Sequence, residues 1–353
     1  MAAAGKREMI EDLVLVFGLV TVQIIYAGNS VLLSYLLKLD LNPLTIVIFS
    51  TFVTFFVLSP PSIYLERSKW PTKFNFRLFL QLVLMSFGGV TIFQILFLKG
   101  IMLTSPAIAT AMPNLAPGLI FIIAATFKLE KIKLSCIYSK VKIVSILLCV
   151  IGALTMSIMQ SNSPMPKINR LSNSPISFDS NRIIGCIYLM AAVFILSCNI
   201  VLQAKTLVEF PAPISICAIT SFIGATMTMS IELYQNHKLD FGTPQVINTK
   251  DLIGLCLLGG IIGGVSNSFG GWAMKKKGPV LVSMFTPIST VVSAIISFFT
   301  FGEVLSSSSL IGMMVMFMGL YMFLWAKSKE GFTYLQLKPI SQEEHGVEKP
   351  LLS

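Results

Sequence analysis

SPAIATAMPNLAPGLIFIIAATFKLE, residues 105–130, and GPVLVSMFTPISTVVSAIISFFTFGE, residues 278–303, are two copies of one helical pattern. An offset of 173 residues aligns them and places Pro106 on Pro279. Within each copy, residues at the spacing i, i+4, i+7 and i+11 are polar or proline, so they share one face of a helix. Beyond the aligned prolines these positions are Thr110, Pro113 and Pro117 in the first copy and Ser283, Thr286 and Thr290 in the second.

This polar stripe lies in a segment that is otherwise made of Ile, Val, Ala and Phe and has no charge between its ends. A helix of this kind does not present such a stripe to lipid, so the stripe should face protein or a water-filled path. Small hydroxyl residues and prolines also help helices to pack closely. The presence of the stripe in both copies favours a path.

The composition indicates a membrane protein. Only 12% of the 353 residues are charged and 54% are hydrophobic, whereas about 25% of a soluble domain is charged. Charged residues leave ten uncharged windows of 21 to 28 residues, and about 20 apolar residues cross a bilayer as a helix. The windows are 13–37, 41–65, 78–98, 100–127, 143–166, 183–204, 210–231, 252–274, 278–302 and 304–326.

The distribution of Lys and Arg predicts the orientation. With the N-terminus in the cytoplasm, 19 of the 26 basic residues lie on the cytoplasmic side and 7 on the other side. Cytoplasmic loops of membrane proteins carry such an excess, so both termini are expected in the cytoplasm. Topology therefore explains the net charge of +10 without nucleic acid as a partner. The run Lys275–Lys277 is interpreted as an orientation anchor, with binding of substrate or anionic lipid as the alternative.

The chain divides into two halves of five spans at a long linker rich in Ser, Asn and Pro. Since five is odd, the second half enters the membrane from the opposite side, which gives an inverted repeat of the kind used for alternating access. The predicted parts are a cytoplasmic tail at 1–12, a first repeat at 13–160, the non-cytoplasmic linker at 161–182, a second repeat at 183–326 and a disordered cytoplasmic tail at 327–353.

Amides lie near the middle of several windows. An offset of 170 residues places Asn29 of the first window on Asn199 of the sixth. An amide in the bilayer is costly unless it is paired, and helix packing and substrate contact remain equal explanations for each Asn. Window eight contains two GxxxG pairs, which predict close helix packing. Further polar residues that could touch a solute are Gln23, Gln94, Asn267 and Trp272.

Nothing in the sequence indicates an enzyme, a metal site or a cofactor. The six cysteines form no CxxC pair, and HExxH, GxSxG and Walker motifs are missing from the chain. The two histidines, His237 and His345, lie outside the windows, and no window contains Asp or Glu. We expect no buried His, Asp or Glu, and this argues against a membrane acyltransferase or an intramembrane protease.

Four blocks of the sequence resemble the plant nodulin-21-like, Walls Are Thin-related branch of the drug/metabolite transporter superfamily, which is also called "usually multiple acids move in and out". They are TSPAIATAMPNLAPGLIFIIAATFKLE at 104–130, SKVKIVSILLCVIGAL at 139–154, WAMKKKGPVLVSMFTPISTVVSAIISFFTFGE at 272–303 and GMMVMFMGLYMFLWAKSKE at 312–330. The resemblance covers about 14–326. SSSS at 306–309 departs from the Gly-containing turn expected there. The resemblance implies an all-α membrane protein with ten transmembrane helices as two inverted five-helix EamA repeats. It also implies transport of amino acids or, in some members, auxin.

The predicted function is therefore secondary transport of a small metabolite, most simply an amino acid, by facilitated and bidirectional movement. An auxin or organic-acid transporter of the same fold and a non-transporting scaffold are the alternatives. Spans one, three, four, six, eight and nine would line the path, and prolines in spans four and nine would free backbone N–H groups for a substrate carboxylate. The predicted path residues are Gln23, Asn29, Gln94, Thr110, Pro113, Asn114, Pro117, Asn199, Asn267, Trp272, Ser283, Thr286, Pro287 and Thr290.

Two acidic residues occupy matching places in the repeats, because Glu130 and Glu303 each follow a central span. They are either helix-end residues at the interface or gates that pair with nearby lysines. The expected partners are a small-molecule substrate and the lipid bilayer, and association into homo-oligomers stays open. The plasma membrane is expected rather than the vacuolar membrane, since the C-terminal EKPLLS falls one residue short of an acidic dileucine signal.

Overall fold

The computed structural model describes residues 2–38, 43–71, 75–104, 112–127, 137–161, 180–236, 249–301 and 307–337. Within these ranges the chain is helical and contains no strand. It forms ten helical segments, one for each uncharged window. They are α1 (Ala2–Lys38), α2 (Pro43–Glu66), α3 (Phe76–Leu103), α4 (Met112–Thr126), α5 (Ile137–Ser161), α6 (Ser180–Glu209), α7 (Pro213–Asn236), α8 (Thr249–Lys277), α9 (Pro279–Ser283 and Thr286–Phe301) and α10 (Ser307–Leu337).

Length and composition suit these helices to a bilayer. Eight stretches of the described residues are long and apolar enough to cross a membrane, and Met112–Thr126 is a shorter apolar helix. Helix α5 has 25 residues, more than the roughly 20 that a span requires. Helix α1 begins at Ala2, within the segment predicted as a tail, and α10 runs to Leu337.

The contacts between helices repeat when the two halves are exchanged. Helix α1 packs on α8 and α9, and its counterpart α6 packs on α3 and α4. Helix α2 packs on α8, and correspondingly α7 packs on α3. The remaining large interfaces, α2 with α7 and α5 with α10, each join two counterparts. Because each half has five helices, this pattern is that of two inverted repeats, as the sequence predicts.

Both central helices are irregular near the start of their described parts. Helix α4 opens with a 3₁₀ turn, Met112–Leu115, before it becomes α-helical at Ala116. Helix α9 is interrupted between its two pieces. Pro117 and Pro287 each lie in the first turn of the piece that follows the break, where a missing N–H leaves no helical hydrogen bond unmade.

Helix α3 contains a different irregularity, a π segment over Ser86–Ile92. The hydrogen-bond register widens there, since the N–H of Phe93 bonds to the carbonyl of Gly88, five residues earlier. Gly88 and Gly89 lie inside the segment. Short π segments inside α-helices are uncommon and occur frequently at functional sites.

The largest buried cluster joins residues of α1, α4, α5, α6, α8, α9 and α10. Its fully buried members include Leu19, Ile120, Met284, Phe285 and Phe323. Burial of side chains of this size is the main attraction that holds such helices together through packing. The cluster surrounds the breaks in α4 and α9 and therefore fixes where the polar stripe lies.

Helices α5 and α10 form a pair of their own. An added Cβ at Gly152 would lie 2.8 Å from the carbonyl oxygen of Gly312, and one at Gly319 would lie 2.7 Å from that of Ser145. The two glycines therefore allow the backbones to approach closely. Apolar side chains on the far side of the pair, such as that of Met314, are exposed.

Candidate substrate path

The described residues of the polar stripe are buried or half-buried, and the amide of Asn114 bonds to one of them. Asn114 on α4 is fully buried, and its Nδ2 donates to Thr290 Oγ1 on α9 over 2.8 Å. The Thr290 hydroxyl in turn lies 3.0 Å from Asn114 Oδ1. This hydrogen-bonded pair joins the two central helices across the repeat. It places two predicted path residues together and satisfies both of their polar groups.

The hydroxyls at the break in α9 bond within their own helix. Ser283 Oγ donates to the carbonyl of Val280 over 2.9 Å, and Thr286 Oγ1 donates to the carbonyl of Ser283 over 2.7 Å. Ser283 is buried and Thr286 is half-buried. The stripe on α9 therefore faces protein, which is one of the two surroundings that the sequence predicts.

Some predicted residues are prolines or lie outside the described part of the chain. Pro117 and Pro287 are buried, and Pro113 is half-buried in the 3₁₀ turn of α4. Thr110 and the two predicted gates, Glu130 and Glu303, lie outside the described residues.

Gln23 occupies the inner face of α1, one turn after the core residue Leu19. Its side chain is only 6% exposed. It makes no hydrogen bond with any described residue. The amide therefore keeps its donor and acceptor capacity on the inner face of α1, which suits Gln23 to a ligand that hydrogen-bonds to it.

Tyr26, one turn further along α1, bonds to a predicted path residue that sequence reasoning did not connect to it. Its hydroxyl donates to Asn267 Oδ1 on α8 over 2.7 Å. Asn267 is exposed and Tyr26 is half-buried. The spacing from Gln23 to Tyr26 places both on one face of α1 and is the one signal in the sequence that indicates Tyr26.

Asn29 and Gln94 lack hydrogen bonds to the described part of the chain. Asn29 is exposed on α1, and its neighbour Gly28 has no atom within 4 Å of an added Cβ. Gln94 is half-buried on α3, two residues after the end of the π segment. The offset of 173 residues aligns Gln94 with Asn267, so these two amides occupy matching places in α3 and α8.

Asn199, the counterpart of Asn29, is inserted into the π segment of α3. Its Nδ2 donates to the carbonyl of Met85 over 3.2 Å. A Cβ added at Gly89 would coincide with that nitrogen and lie 2.7 Å from Asn199 Cγ. The amide therefore fills the space that Gly89 leaves, between α6 and α3.

Trp272 lies half-buried near the end of α8. Its ring is 5.3 Å from that of Phe269, and Lys276 Nζ lies 5.7 Å from its centroid. Phe269 in turn packs on Gly18 of α1. Trp272 thus helps to close one end of the bundle, with its apolar ring against the core.

The lysine run at the same end of α8 joins the two halves. Lys276 Nζ lies 2.6 Å from Glu11 Oε2, and Lys277 Nζ lies 2.6 Å from Asp12 Oδ1. All four side chains are between about one third and three fifths exposed. Such exposed pairs contribute little to stability individually, but both connect α8 of the second repeat to α1 of the first.

The expectation that no acidic residue is buried was wrong. Glu66 and Glu232 are each only 3% exposed. Both lie just beyond an uncharged window, so a count of charges classes them as interfacial although the neighbouring helices cover them. Glu66 Oε2 accepts hydrogen bonds from the backbone N–H of Ser215 over 2.8 Å and from its hydroxyl over 2.9 Å. Ser215 is the third residue of α7, so this carboxylate caps the start of that helix.

The cap on α7 is part of a larger polar cluster. Ser62 Oγ donates to Ser215 Oγ over 2.8 Å, and the indole Nε1–H of Trp70 donates to the same oxygen over 3.0 Å. The cluster ties the end of α2 to the start of α7, again across the two halves. Its hydrogen bonds satisfy the carboxylate of Glu66 structurally.

Comparison with known proteins places the chain in a family. Residues 183–325 match the EamA-like transporter family. One WAT1-related protein of Arabidopsis thaliana is 54% identical over 349 residues, which cover 99% of this chain and 94% of the relative. A second WAT1-related protein from the same plant is 44% identical over 356 residues, which cover 98% of this chain and 99% of the relative. A solved crystal structure at 14% identity superposes with a TM-score of 0.59 over 87% of this chain and 98% of that one, which shows the fold alone.

The inverted repeats and the family match together define a multi-pass membrane transporter of small molecules, of the EamA type in the drug/metabolite transporter superfamily. At 54% identity over nearly the full length, the chain belongs to the WAT1-related family of these plant transporters.

Proposed function

We propose that the protein moves amino acids across the membrane by facilitated, bidirectional diffusion. The observation that carries this proposal is Gln23, whose amide is buried on the inner face of α1 and has no partner among the described residues. An amide offers both a donor and an acceptor. A passing solute that carries both kinds of group would satisfy it.

The charge of the spans favours a zwitterion over an anion. All ten uncharged windows lack Asp, Glu, His, Lys and Arg, so they offer no counter-charge to a carboxylate that enters alone. Moving an unpaired charge into such a region is costly. An amino acid brings its own ammonium group, and neutral amides such as those of Gln23 and Gln94 can solvate both of its charges. Auxin, as an anion, lacks that compensation.

The same empty windows argue against obligatory coupling to protons. Proton-coupled carriers place an ionisable side chain within the membrane, where protonation changes the conformational preference. The two buried carboxylates, those of Glu66 and Glu232, both lie just outside the windows, and Glu66 is hydrogen-bonded as a helix cap. The solute gradient alone would then drive net movement.

Uptake into liposomes tests the substrate. Purified protein is reconstituted, and uptake of the standard radiolabelled amino acids and of auxin is compared with that of protein-free vesicles. We expect uptake of at least one neutral amino acid and a loss of roughly tenfold in Gln23→Leu, because a lost hydrogen bond to a charged group is worth about 1.5–3 kcal/mol. Thr21→Ala is the control, since Thr21 is exposed on the same helix and its hydroxyl donates to the backbone carbonyl of Phe17 in that helix.

Two outcomes would reject the proposal. Uptake of auxin without any amino acid would select the organic-acid alternative, and folded protein without any uptake would select the scaffold. The energetics are tested separately, with equal amino acid on both sides and an imposed pH gradient. Net accumulation that a protonophore abolishes would show that the movement is proton-coupled.

The orientation is proposed from the basic residues, with both termini in the cytoplasm and 161–182 on the far side of the plasma membrane. A protease cleavage site inserted within 161–182 should be cut by protease added to the outside of intact cells. Cleavage only after the cells are opened would reverse this orientation or place the protein in an internal membrane.

A further inference from the structure

The π segment of α3 holds one amide in a single orientation. Asn199 Nδ2 donates to the carbonyl of Met85, the residue just before the segment, over 3.2 Å. Only the NH₂ end of an amide can donate to a carbonyl. This bond therefore assigns the two ends of the Asn199 side chain and leaves Oδ1 as the end that can bind something else.

Oδ1 of Asn199 has no partner in the described part of the chain, and the residue is half-buried rather than enclosed. The bond to Met85 uses one of the two N–H groups of this amide and fixes which end of the side chain is Oδ1. The oxygen is therefore held in place as a free acceptor. The chemical group that such an acceptor favours is a hydrogen-bond donor, and a charged donor more than a neutral one.

Gly89 makes this arrangement sterically possible. An added Cβ there would coincide with Asn199 Nδ2 and lie 2.7 Å from Cγ, so any side chain at position 89 displaces the amide. The adjacent Gly88 differs, since its added Cβ would meet nothing closer than Ile195 Cγ2 at 3.8 Å, an ordinary contact. The two glycines have the same backbone context and different neighbours.

The far side of the segment is fixed by α7. Thr228 Oγ1 donates to Thr91 Oγ1 over 3.0 Å, and a Cβ added at Gly224 would lie 2.6 Å from Val90 Cβ. The segment is therefore clamped on one side by α7 and filled on the other by Asn199. A clamped backbone keeps the socket for the amide in place.

From this geometry we infer that Asn199 is a specificity-determining residue that accepts a hydrogen bond from the substrate ammonium, and that Gly89 is its positioning residue. The inference rests on the proposed function, since it assigns one group of an amino acid to one atom of the path. The hydrogen bond to Asn199 would let the protein distinguish amino acids from carboxylic acids of the same shape that lack the ammonium group.

Competition of uptake tests the inference. The radiolabelled amino acid identified by the uptake panel competes with its unlabelled form and with its desamino analogue, the same carboxylic acid with hydrogen in place of the ammonium. In Asn199→Ala and in Gly89→Ala, the concentration of unlabelled amino acid that halves uptake should rise roughly tenfold or more. The corresponding concentration of the desamino analogue should change little. Gly88→Ala, the matched control, should keep the preference of the wild type.

The double variant separates positioning from a general effect on the helix. If Gly89 acts only by housing Asn199, Gly89→Ala should cause no further loss of selectivity in the Asn199→Ala background. Thermal unfolding of each purified variant verifies folding. Should Gly89→Ala alone fail to fold, Asn199→Ala and the double variant decide the question.

Unchanged selectivity in folded Asn199→Ala would overturn the inference, as would equal weakening of the amino acid and its desamino analogue. Either result leaves the proposed function intact as long as the wild type transports the amino acid. If the wild type transports no amino acid, the proposed function itself fails, and the two failures are thus distinguished.

Discussion

The pair α3–α6 and the pair α1–α8 are counterparts in the two repeats, yet their polar contacts differ. In the first pair, Asn199 is inserted into a π segment and bonds to the backbone of Met85. In the second, its counterpart Asn29 is exposed, and the contact between the helices is instead made by Tyr26 and Asn267. Helix α8 runs from Thr249 to Lys277 without a π segment.

This difference shows that the repeat conserves topology and not local chemistry. The same interface between helices is bridged in both halves, but by a side chain to backbone bond in one and by two side chains in the other. The two halves therefore differ in their amides, since Asn199 is held by the Met85 carbonyl and Asn29 is exposed.

The largest expected effect tests the symmetry at the helix ends. Glu66→Ala should lower the free energy of unfolding by about 3 kcal/mol or more, because it removes a charged acceptor from two donors of Ser215. Glu232 is equally buried at the other end of α7. If the halves are equivalent there, Glu232→Ala should cost a similar amount. Unfolding in mixed micelles measures both.

A control for these variants is Glu209→Ala. Glu209 is 38% exposed and lies 3.8 Å from Arg77, so its loss should change stability by at most about 1 kcal/mol. Equal stability of Glu66→Ala and Glu209→Ala would show that the buried cap contributes nothing special.

The next effect concerns the glycines of α8, which form two GxxxG pairs in the sequence. A Cβ added at Gly260 would lie 2.5 Å from the carbonyl oxygen of Ser50, on α2. At Gly263 the same addition meets nothing within 4 Å. Gly260→Ala should therefore destabilise by about 1–3 kcal/mol through overpacking, whereas Gly263→Ala should be neutral or slightly stabilising. Gly260→Ala should therefore have the lower melting temperature of the two variants. The reverse order would contradict the close packing of Gly260 on α2.

Direct comparison of the two asparagines should give an intermediate effect. Asn199→Ala removes the donor from the Met85 carbonyl and should destabilise by about 1–2 kcal/mol. Asn29→Ala removes an exposed amide without a partner among the described residues and should change stability by less than about 0.5 kcal/mol. If the two variants have the same melting temperature, the asymmetry between the helix pairs has no effect on stability.

The ten helical segments, their order and the inverted repeat were all predictable from the sequence. Hydrophobic length and the positions of charges determine these features, and both are read along the chain without knowing which helices touch. The stripe on α9 also led to Thr290, and its partner Asn114 was among the predicted path residues of α4.

The local contacts were not predictable in the same way. Nothing in the periodicity around Gly88 and Gly89 marks one wider turn, since a π segment changes the spacing by a single residue. The burial of Glu66 was not predictable, because its partner Ser215 is 149 residues away in the chain. Tyr26 looks like any aromatic residue of an apolar window, and only the position of α8 reveals its acceptor.

The smallest expected effect concerns the hydrogen bond at the centre of the bundle, which belongs to both repeats at once. Asn114 Nδ2 donates to Thr290 Oγ1 over 2.8 Å, and Thr290 Oγ1 lies 3.0 Å from Asn114 Oδ1. Both residues are at most 4% exposed. In a membrane protein such pairs contribute about 0.6 kcal/mol on average and at most about 1.7 kcal/mol, because the unfolded helices also find partners. A double-mutant cycle with Asn114→Ala and Thr290→Val should therefore give a coupling energy in that range. Each single variant leaves one polar group buried without this partner, so the double variant should be more stable than the sum of the single losses predicts. A coupling energy of zero would mean that the two helices are held by apolar packing alone, and the polar stripe would then have to serve the path rather than the fold.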